Sequence, residues 1–176
     1  MRESKHVLFT VARAPGGRTR GILRGLGTTV PVALGRAGIK ANKSEGDGGT
    51  PRGKFRLLRL WWRGDRMPPP RTALPLRRIR RDDAWCEDAS DRRYNRPLRL
   101  APEAAGDRLW RDDHLYDLVI ELDHNTRPRV AGRGSAVFVH LARDGFLATA
   151  GCVALRGGDL RRLLPRLRKR SFIEIR

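Results

Sequence analysis

Residues 135–143 read SAVFVHLAR, and their alternation sets the architecture of the chain. At a period of two, Ala136, Phe138 and His140 share one face of a strand while Val137, Val139 and Leu141 share the other. The run before it, YDLVIELDH at 116–124, alternates in the same way. Strand character recurs in KFRLLRLWW at 54–62 and in KHVLFTVAR at 5–13, rich in Val, Phe and Thr. SFIEIR at 171–176 closes the chain as a strand, and 19–34 reads as one or two strands broken by Gly25 and Gly27. Residues 158–168, GDLRRLLPRLR, put Leu160, Leu163, Leu164 and Leu167 at helical spacing. Asp159 is the expected cap of that helix, and Pro165 is expected to interrupt or end it. The fold class is therefore mainly β with one or two helices.

Two stretches fall outside this pattern. ANKSEGDGGTPRG at 41–53 is a polar, glycine-rich loop. Residues 63–113 hold Pro68, Pro69, Pro70, many Arg–Asp pairs and the aromatic Trp85, Tyr94 and Trp110. They are expected to form a long, mostly irregular insertion with short elements, and loops of that length are often functional. No internal repeat is visible, and 176 residues suit one domain spanning 1–176.

The chain carries 38 Lys+Arg against 19 Asp+Glu, a formal charge of +19. Such a field attracts polyanions: nucleic acid, an anionic membrane face or an acidic polymer. Aromatic residues make up only 6% and no nucleic-acid-binding module is recognisable, so no specific nucleic acid is expected. Two cysteines, Cys86 and Cys152, are too few for a disulfide framework, and no Cys/His spacing suits zinc. No apolar run approaches the ~20 residues of a transmembrane helix. The N-terminal apolar stretch is only a few residues long and broken by Arg13, unlike a secretory leader.

Chemistry concentrates around Cys152. A nucleophilic cysteine needs a base and donors for an oxyanion. In Thr149-Ala150-Gly151-Cys152-Val153, Gly151 permits a sharp turn and close approach of substrate. His140 lies just upstream, and Asp144 and Gly145 favour a turn between them, so a hairpin-like return is expected to bring His140 beside Cys152. A lone cysteine in an apolar run is otherwise a small buried hydrophobe. Cys86 sits among four acids, which disfavour its thiolate, and reads as structural, although a Cys86–Cys152 disulfide is an alternative in an oxidising compartment. His6 and His124 read as structural, and His114 either assists the site or joins the charged cluster around it.

Thr50-Pro51-Arg52-Gly53-Lys54-Phe55 resembles the TPxGxF signature of the YkuD family of L,D-transpeptidases. His140, a gap, and Thr149-Ala150-Gly151-Cys152-Val153 resemble that family's catalytic motif, in the same order. The resemblance covers about residues 5–60 and 116–176. It implies a β-sandwich or barrel with the cysteine at the mouth of a cleft. It also implies a cofactor- and metal-free reaction, in which Cys152 takes an acyl group from one peptidoglycan stem peptide and the amine of a diaminopimelate side chain on another stem receives it. His140 is then the base, amides near Gly151 and Cys152 hold the oxyanion, and Thr149 orders the loop or contacts substrate.

Three features depart from the family pattern: a short gap from His140 to Cys152, Leu141 where Gly is usual, and Ala154 where Arg or Asn is usual. With no cation at 154, Arg111 is the first candidate to hold the stem carboxylates and Arg133, entering the strand of His140 before Ser135, the second; guanidinium meets a carboxylate in a bidentate fork. Tyr94, Asn95, Tyr116, Ser135 and His114 complete the expected substrate wall. Segments such as LWRDDHLYD and GRGSAVFVH resemble a compact subgroup of the family and raise a first-to-third cross-link as an alternative to a third-to-third one. A monomer in the periplasm or cell envelope is expected, with the cytoplasm as alternative. Three other readings stay open: a cysteine carboxypeptidase or endopeptidase that trims stems, a non-catalytic wall-binding protein, and a basic protein on nucleic acid.

Overall fold

The computed structural model describes residues 7–104 and 106–176. His6 lies outside the described residues. The chain runs through β1 (Val7–Arg13), β2 (Arg20–Gly25), β3 (Thr28–Ala33), β4 (Ile39–Lys40), β5 (Thr50–Pro51) and β6 (Gly53–Trp62). It continues with β7 (Leu76–Arg78), β8 (Asp83–Trp85), β9 (Pro97–Arg99), β10 (Asp107–Arg108), β11 (Leu118–Leu122), β12 (Phe138–Leu141) and β13 (Val153–Leu155). Helix α1 (Gly157–Leu163), a 3-10 turn (Leu164–Arg166) and β14 (Ser171–Ile175) complete it.

The largest sheet has the order β11-β12-β13-β3-β2-β1-β14-β6-β7, and β11 also pairs with β6. Eight strands therefore close into a barrel, and closure removes the free edges an open sheet would expose. The residues at 19–34 form a hairpin: Leu26 and Gly27, with φ of 50° and 70°, supply the two left-handed positions of a two-residue turn whose twist suits the strands. Inward residues from every wall, among them Val11, Leu23, Val32, Leu57, Leu60, Ile120 and Val139, fill the interior, and Leu160, Leu163, Leu164 and Leu167 join them. The face-sharing read from 135–143 holds: Val137, Val139 and Leu141 belong to this interior, whereas Ala136 and Phe138 pack in a second cluster on the opposite face. On β6 the alternation changes phase. Leu122 pairs with Leu57 while Glu121 pairs with Arg59, a bulge that lets Leu57 and Leu60 both face inward.

The insertion does contain short elements. β8, β9 and β10 form a small sheet of their own, and β7 adds to β6. Ile79, Trp85 and Leu109 bury themselves against Trp61, Val119 and Phe138 on the outside of the barrel. The Trp85 and Phe138 rings meet edge to face at 5.0 Å, a contact worth about 0.5–1.5 kcal/mol beyond burial. Asp159 is not the helix cap. Arg156 occupies the cap position without a side-chain bond, and Asp159 lies in the first turn, paired with Arg162. Pro165 falls in the 3-10 turn that ends the helix, where its missing N–H costs little.

Candidate active site

The site is built on the pairing of β12 with β13. These strands run parallel, with Val139 opposite Val153 and His140 opposite Ala154. The expected hairpin-like return is thus corrected to a crossover. Residues 142–152 leave the barrel, turn at Asp144–Phe146 and re-enter in the same direction. They can do so because the loop docks on the end of β3: Thr149 N–H donates to Leu34 O at 2.9 Å, and Arg36 N–H donates to Thr149 O at 2.9 Å. Residues two apart share a face, so Cys152, Ala154 and His140 all look out of the same side of the sheet. From a strand spacing of ~4.8 Å and a rise of ~3.3 Å per residue, the Cβ atoms of His140 and Cys152 stand roughly 8 Å apart on the diagonal.

The backbone before Cys152 is held from both sides. Thr149 Oγ1 donates to Cys152 O at 2.7 Å and accepts the Gly151 N–H at 3.1 Å. Gly151 has φ +147°, and a Cβ there would stand 2.8 Å from Gly49 O, so only glycine fits. Thr50, fully buried, accepts the Gly35 N–H at 2.8 Å and reaches Cys152 O at 3.5 Å. This gives the TPxGxF resemblance a physical content: its threonine braces the segment that carries the cysteine. Gly53, also at φ +147°, stacks so closely on the Phe55 ring that a Cβ would meet it at 2.9 Å.

Cys152 is free, as is Cys86. Its Sγ accepts from Phe138 N–H at 3.4 Å and its thiol proton points to Ala136 O at 3.3 Å. Burial among Trp85, Phe138 and their neighbours pushes the thiol up to about 12, against the pull of the Phe138 N–H. His140 is buried too, and desolvation lowers it to about 4, even though Leu141 O favours its charged form. Nδ1 lies 2.8 Å from Leu141 O, a carbonyl that only accepts, so the proton of the neutral ring sits on Nδ1 and Nε2 keeps its lone pair. Tyr116 stacks edge-on against His140 at 5.2 Å and fixes the ring plane. Thiol and imidazole are both neutral at rest, and no hydrogen bond joins them.

Both side chains line a cavity of about 650 Å³ at the junction of barrel, crossover loop and insertion. Of the expected substrate wall, Arg111, Tyr116 and Ser135 border it. Arg111 forms a fork with Asp113 and lies 5.0 Å above the Tyr116 ring. The other four do not border it. Arg133 is exposed away from the cavity, and its carbonyl serves His124. His114 is exposed and turned to Asp117 at 2.8 Å. Tyr94 is buried, bonded to the Glu45 carboxylate and to Gly134 N–H. Asn95 is a buried connector: its Oδ1 accepts from Trp85 Nε1 and Ala136 N–H, and its Nδ2 donates to His124 O and Asn125 O.

Sequence reading missed several groups at the cavity. Arg36, Lys43 and Arg143 bring positive charge, and Glu87 and Asp107 bring negative charge from the insertion. Arg36 and Lys43 are engaged by Gly46 O and by Asp47. Arg143 makes no side-chain hydrogen bond or ion pair among the described residues, although its charge acts on Asp113 and His140, and its position three residues after His140 was the one available signal. The insertion has no periodicity that could have singled out Glu87 or Asp107. Among the described residues no three His, Cys, Asp or Glu converge as metal ligands.

A β-barrel that opens a buried cysteine and a histidine with a free Nε2 onto one polar cavity has the layout of a thiol acyl-transfer catalyst. Comparison with protein families matches residues 17–175 to the YkuD L,D-transpeptidase catalytic domain. The chain belongs to this family, whose members act on peptidoglycan and are typically enzymes of the cell envelope, and it carries an L,D-transpeptidase-type catalytic function. No curated protein matches it. No helix among the described residues is long and apolar enough to cross a membrane.

Proposed function

We propose that the chain joins peptidoglycan stem peptides through a thioester on Cys152, with His140 as the general base. The observation that carries this reading is the shared face of β12 and β13, which turns His140 Nε2 and the Cys152 thiol into the same cavity. Rotation about the Cys152 Cα–Cβ bond moves the thiol proton from Ala136 O toward Nε2. His140 takes it as Sγ attacks a donor carbonyl; the tetrahedral oxyanion rests against the Cys152 amide, and His140 returns the proton to the departing amine. An amine of the acceptor stem then attacks the thioester. Because Gly151 N–H is already given to Thr149, the role of Thr149 is to hold this loop.

Since thiol and imidazole are both neutral at rest, the thiolate forms only as the proton moves in the reaction. This protects a deeply buried nucleophile from side reactions. Arg143, whose guanidinium makes no hydrogen bond at the cavity, suits the stem carboxylate better than Arg111, which is already forked to Asp113. The periplasmic side of the envelope is the site of action, because the substrate lies there. The trimming alternative uses the same groups with water as acceptor.

The test is incubation with muropeptides and tandem mass spectrometry, wild type beside Cys152→Ala. A cross-linked dimer made by the wild type alone supports the reading, and its fragments separate the expected first-to-third bond from a third-to-third one. Shortened stems without dimers would support the hydrolase, and no product would remove the catalytic role of Cys152.

A further inference from the structure

The positive charge of the chain is not spread evenly. Residues 4–44 contain no Asp or Glu, and fifteen of the 19 acids fall in 45–123, so the excess cations gather on the remaining segments. Two of those segments meet at one end of the barrel. Leu160, Leu163, Leu164 and Leu167 plug that end with their apolar side chains. Arg161, Arg162, Arg166, Arg168, Lys169 and Arg170, from the same stretch, are all exposed. Between Asp159, which pairs with Arg162, and Glu174, the sequence has no acid to neutralise them. The β2–β3 hairpin is tied to this plug: Arg166 Nη1 donates to Leu26 O and to Thr28 Oγ1, both at 3.1 Å. Leu26, at the hairpin tip, is 45% exposed, and with Pro165, Arg166 and Arg168 it lines a shallow cleft. Arg168 Nη1 is likewise fixed, by the Pro165 and Leu167 carbonyls. Among the described residues neither guanidinium bonds through Nε or Nη2, so both are held in place with donors to spare.

We propose that this end of the barrel docks on the surface of a bilayer rich in anionic phospholipid. Leu26 enters the headgroup boundary, and Arg161, Arg166, Arg168, Lys169 and Arg170 meet the lipid phosphates. Binding of this kind grows with the apolar area buried and with the cations, by roughly fivefold in affinity for each Lys or Arg near the surface. A lipid surface fits better than a nucleic acid on two counts. The cations surround an exposed leucine, for which a phosphodiester chain has no use. Residues 18–29 and 156–170 also contain no aromatic side chain on which bases could stack. The crossover loop that leads to Cys152 is anchored on Leu34, at the other end of β3 from the hairpin tip, roughly 20 Å along the strand at ~3.3 Å per residue. A bilayer under the plug therefore leaves the cavity on the barrel flank open. Docking needs no chemistry at Cys152, so it stands or falls separately from the transfer reaction.

The test is co-sedimentation of the full chain with vesicles of phosphatidylcholine alone, or with about 30% phosphatidylglycerol, at physiological salt. The expected result is at least tenfold tighter binding to the anionic vesicles. Arg161→Gln, Lys169→Gln and Arg170→Gln together should weaken that binding on the order of a hundredfold. Leu26→Asn, an exchange that suits the left-handed φ of 50° at the tip, should weaken it at least threefold. Arg78→Gln, Arg80→Gln and Arg92→Gln together remove the same charge from exposed positions on the insertion and should weaken it less than threefold. Equal binding to the two vesicles would overturn the proposal, and so would an unchanged affinity of Leu26→Asn. Equal losses in the two triple variants would overturn it by reducing the effect to net charge. Tighter binding of a DNA duplex, lost with the same three plug substitutions, would overturn it in favour of a polyanion site.

Discussion

Replacing Asn95 should damage both stability and the nucleophile, because this one side chain ties the insertion to the strand that shelters Cys152. Its Oδ1 takes Trp85 Nε1–H at 3.0 Å and Ala136 N–H at 3.2 Å, and its Nδ2 gives to His124 O at 3.1 Å and Asn125 O at 2.9 Å. In Asn95→Ala the Trp85 and Ala136 donors are left buried without partners, at about 1–3 kcal/mol each, while the two carbonyls keep access to water. Asn95 has φ 54°, so alanine adds left-handed strain of about 1 kcal/mol. The sum is about 3–7 kcal/mol, on the order of a 15 °C fall in Tm for a chain of this size. Asn95→Gly loses the same bonds without the strain and should be about 1 kcal/mol less damaging. Urea denaturation of the three proteins measures these differences. Because Ala136 O receives the Cys152 thiol proton, transfer activity well below the melting temperature should fall at least tenfold. A loss under 1 kcal/mol for Asn95→Ala would refute the connector role.

Further outcomes follow from the site. Thr149→Val removes the bonds to Gly151 N–H and Cys152 O and should lower kcat at least tenfold with a Tm change of a few degrees, read by steady-state kinetics and calorimetry. Gly151→Ala forces a Cβ to 2.8 Å from Gly49 O at φ +147° and should abolish turnover while destabilising the fold by about 2 kcal/mol or more. With the Cys152 thiol held up to about 12, the thiolate fraction climbs tenfold per pH unit through the neutral range, so iodoacetamide alkylation should rise steeply from pH 7 to 9; a plateau near neutrality would contradict the buried neutral thiol. Arg143→Ala should raise KM at least fivefold, whereas His114→Ala, whose ring is turned to Asp117, should change kcat/KM less than twofold.

The barrel was legible wherever one strand carried its own two-sided pattern. Residues 135–143 and 116–124 declare both faces locally, and the structure uses each face as read. Cys152 and His140 were legible as a pair, but the parallel course between them was not. That course is fixed by Thr149 bonding to Leu34 and Arg36, more than a hundred residues earlier, which no local turn signal reports. Turn residues such as Asp144 and Gly145 only say that the chain bends. The insertion was legible as an exception to periodicity, yet the destinations of its side chains depend on Trp85 and Asn95 docking against Phe138 and Ala136. Tyr94 and Asn95 were therefore read as walls when they are braces, and Glu87 and Asp107 were not singled out. Arg133 stands outside the cavity for a simpler reason: nearness in sequence to His140 does not decide which way a side chain leaves a loop.

The central claim is that Cys152 carries the acyl group with His140 as its base, and intact-protein mass spectrometry after rapid mixing with a donor stem peptide tests it most directly. The account predicts a mass increase equal to the donor acyl group, located on the Cys152 peptide, absent from Cys152→Ala and formed at least a hundredfold more slowly in His140→Ala. Turnover of the peptide without any adduct on Cys152, or an undiminished adduct in His140→Ala, would contradict it.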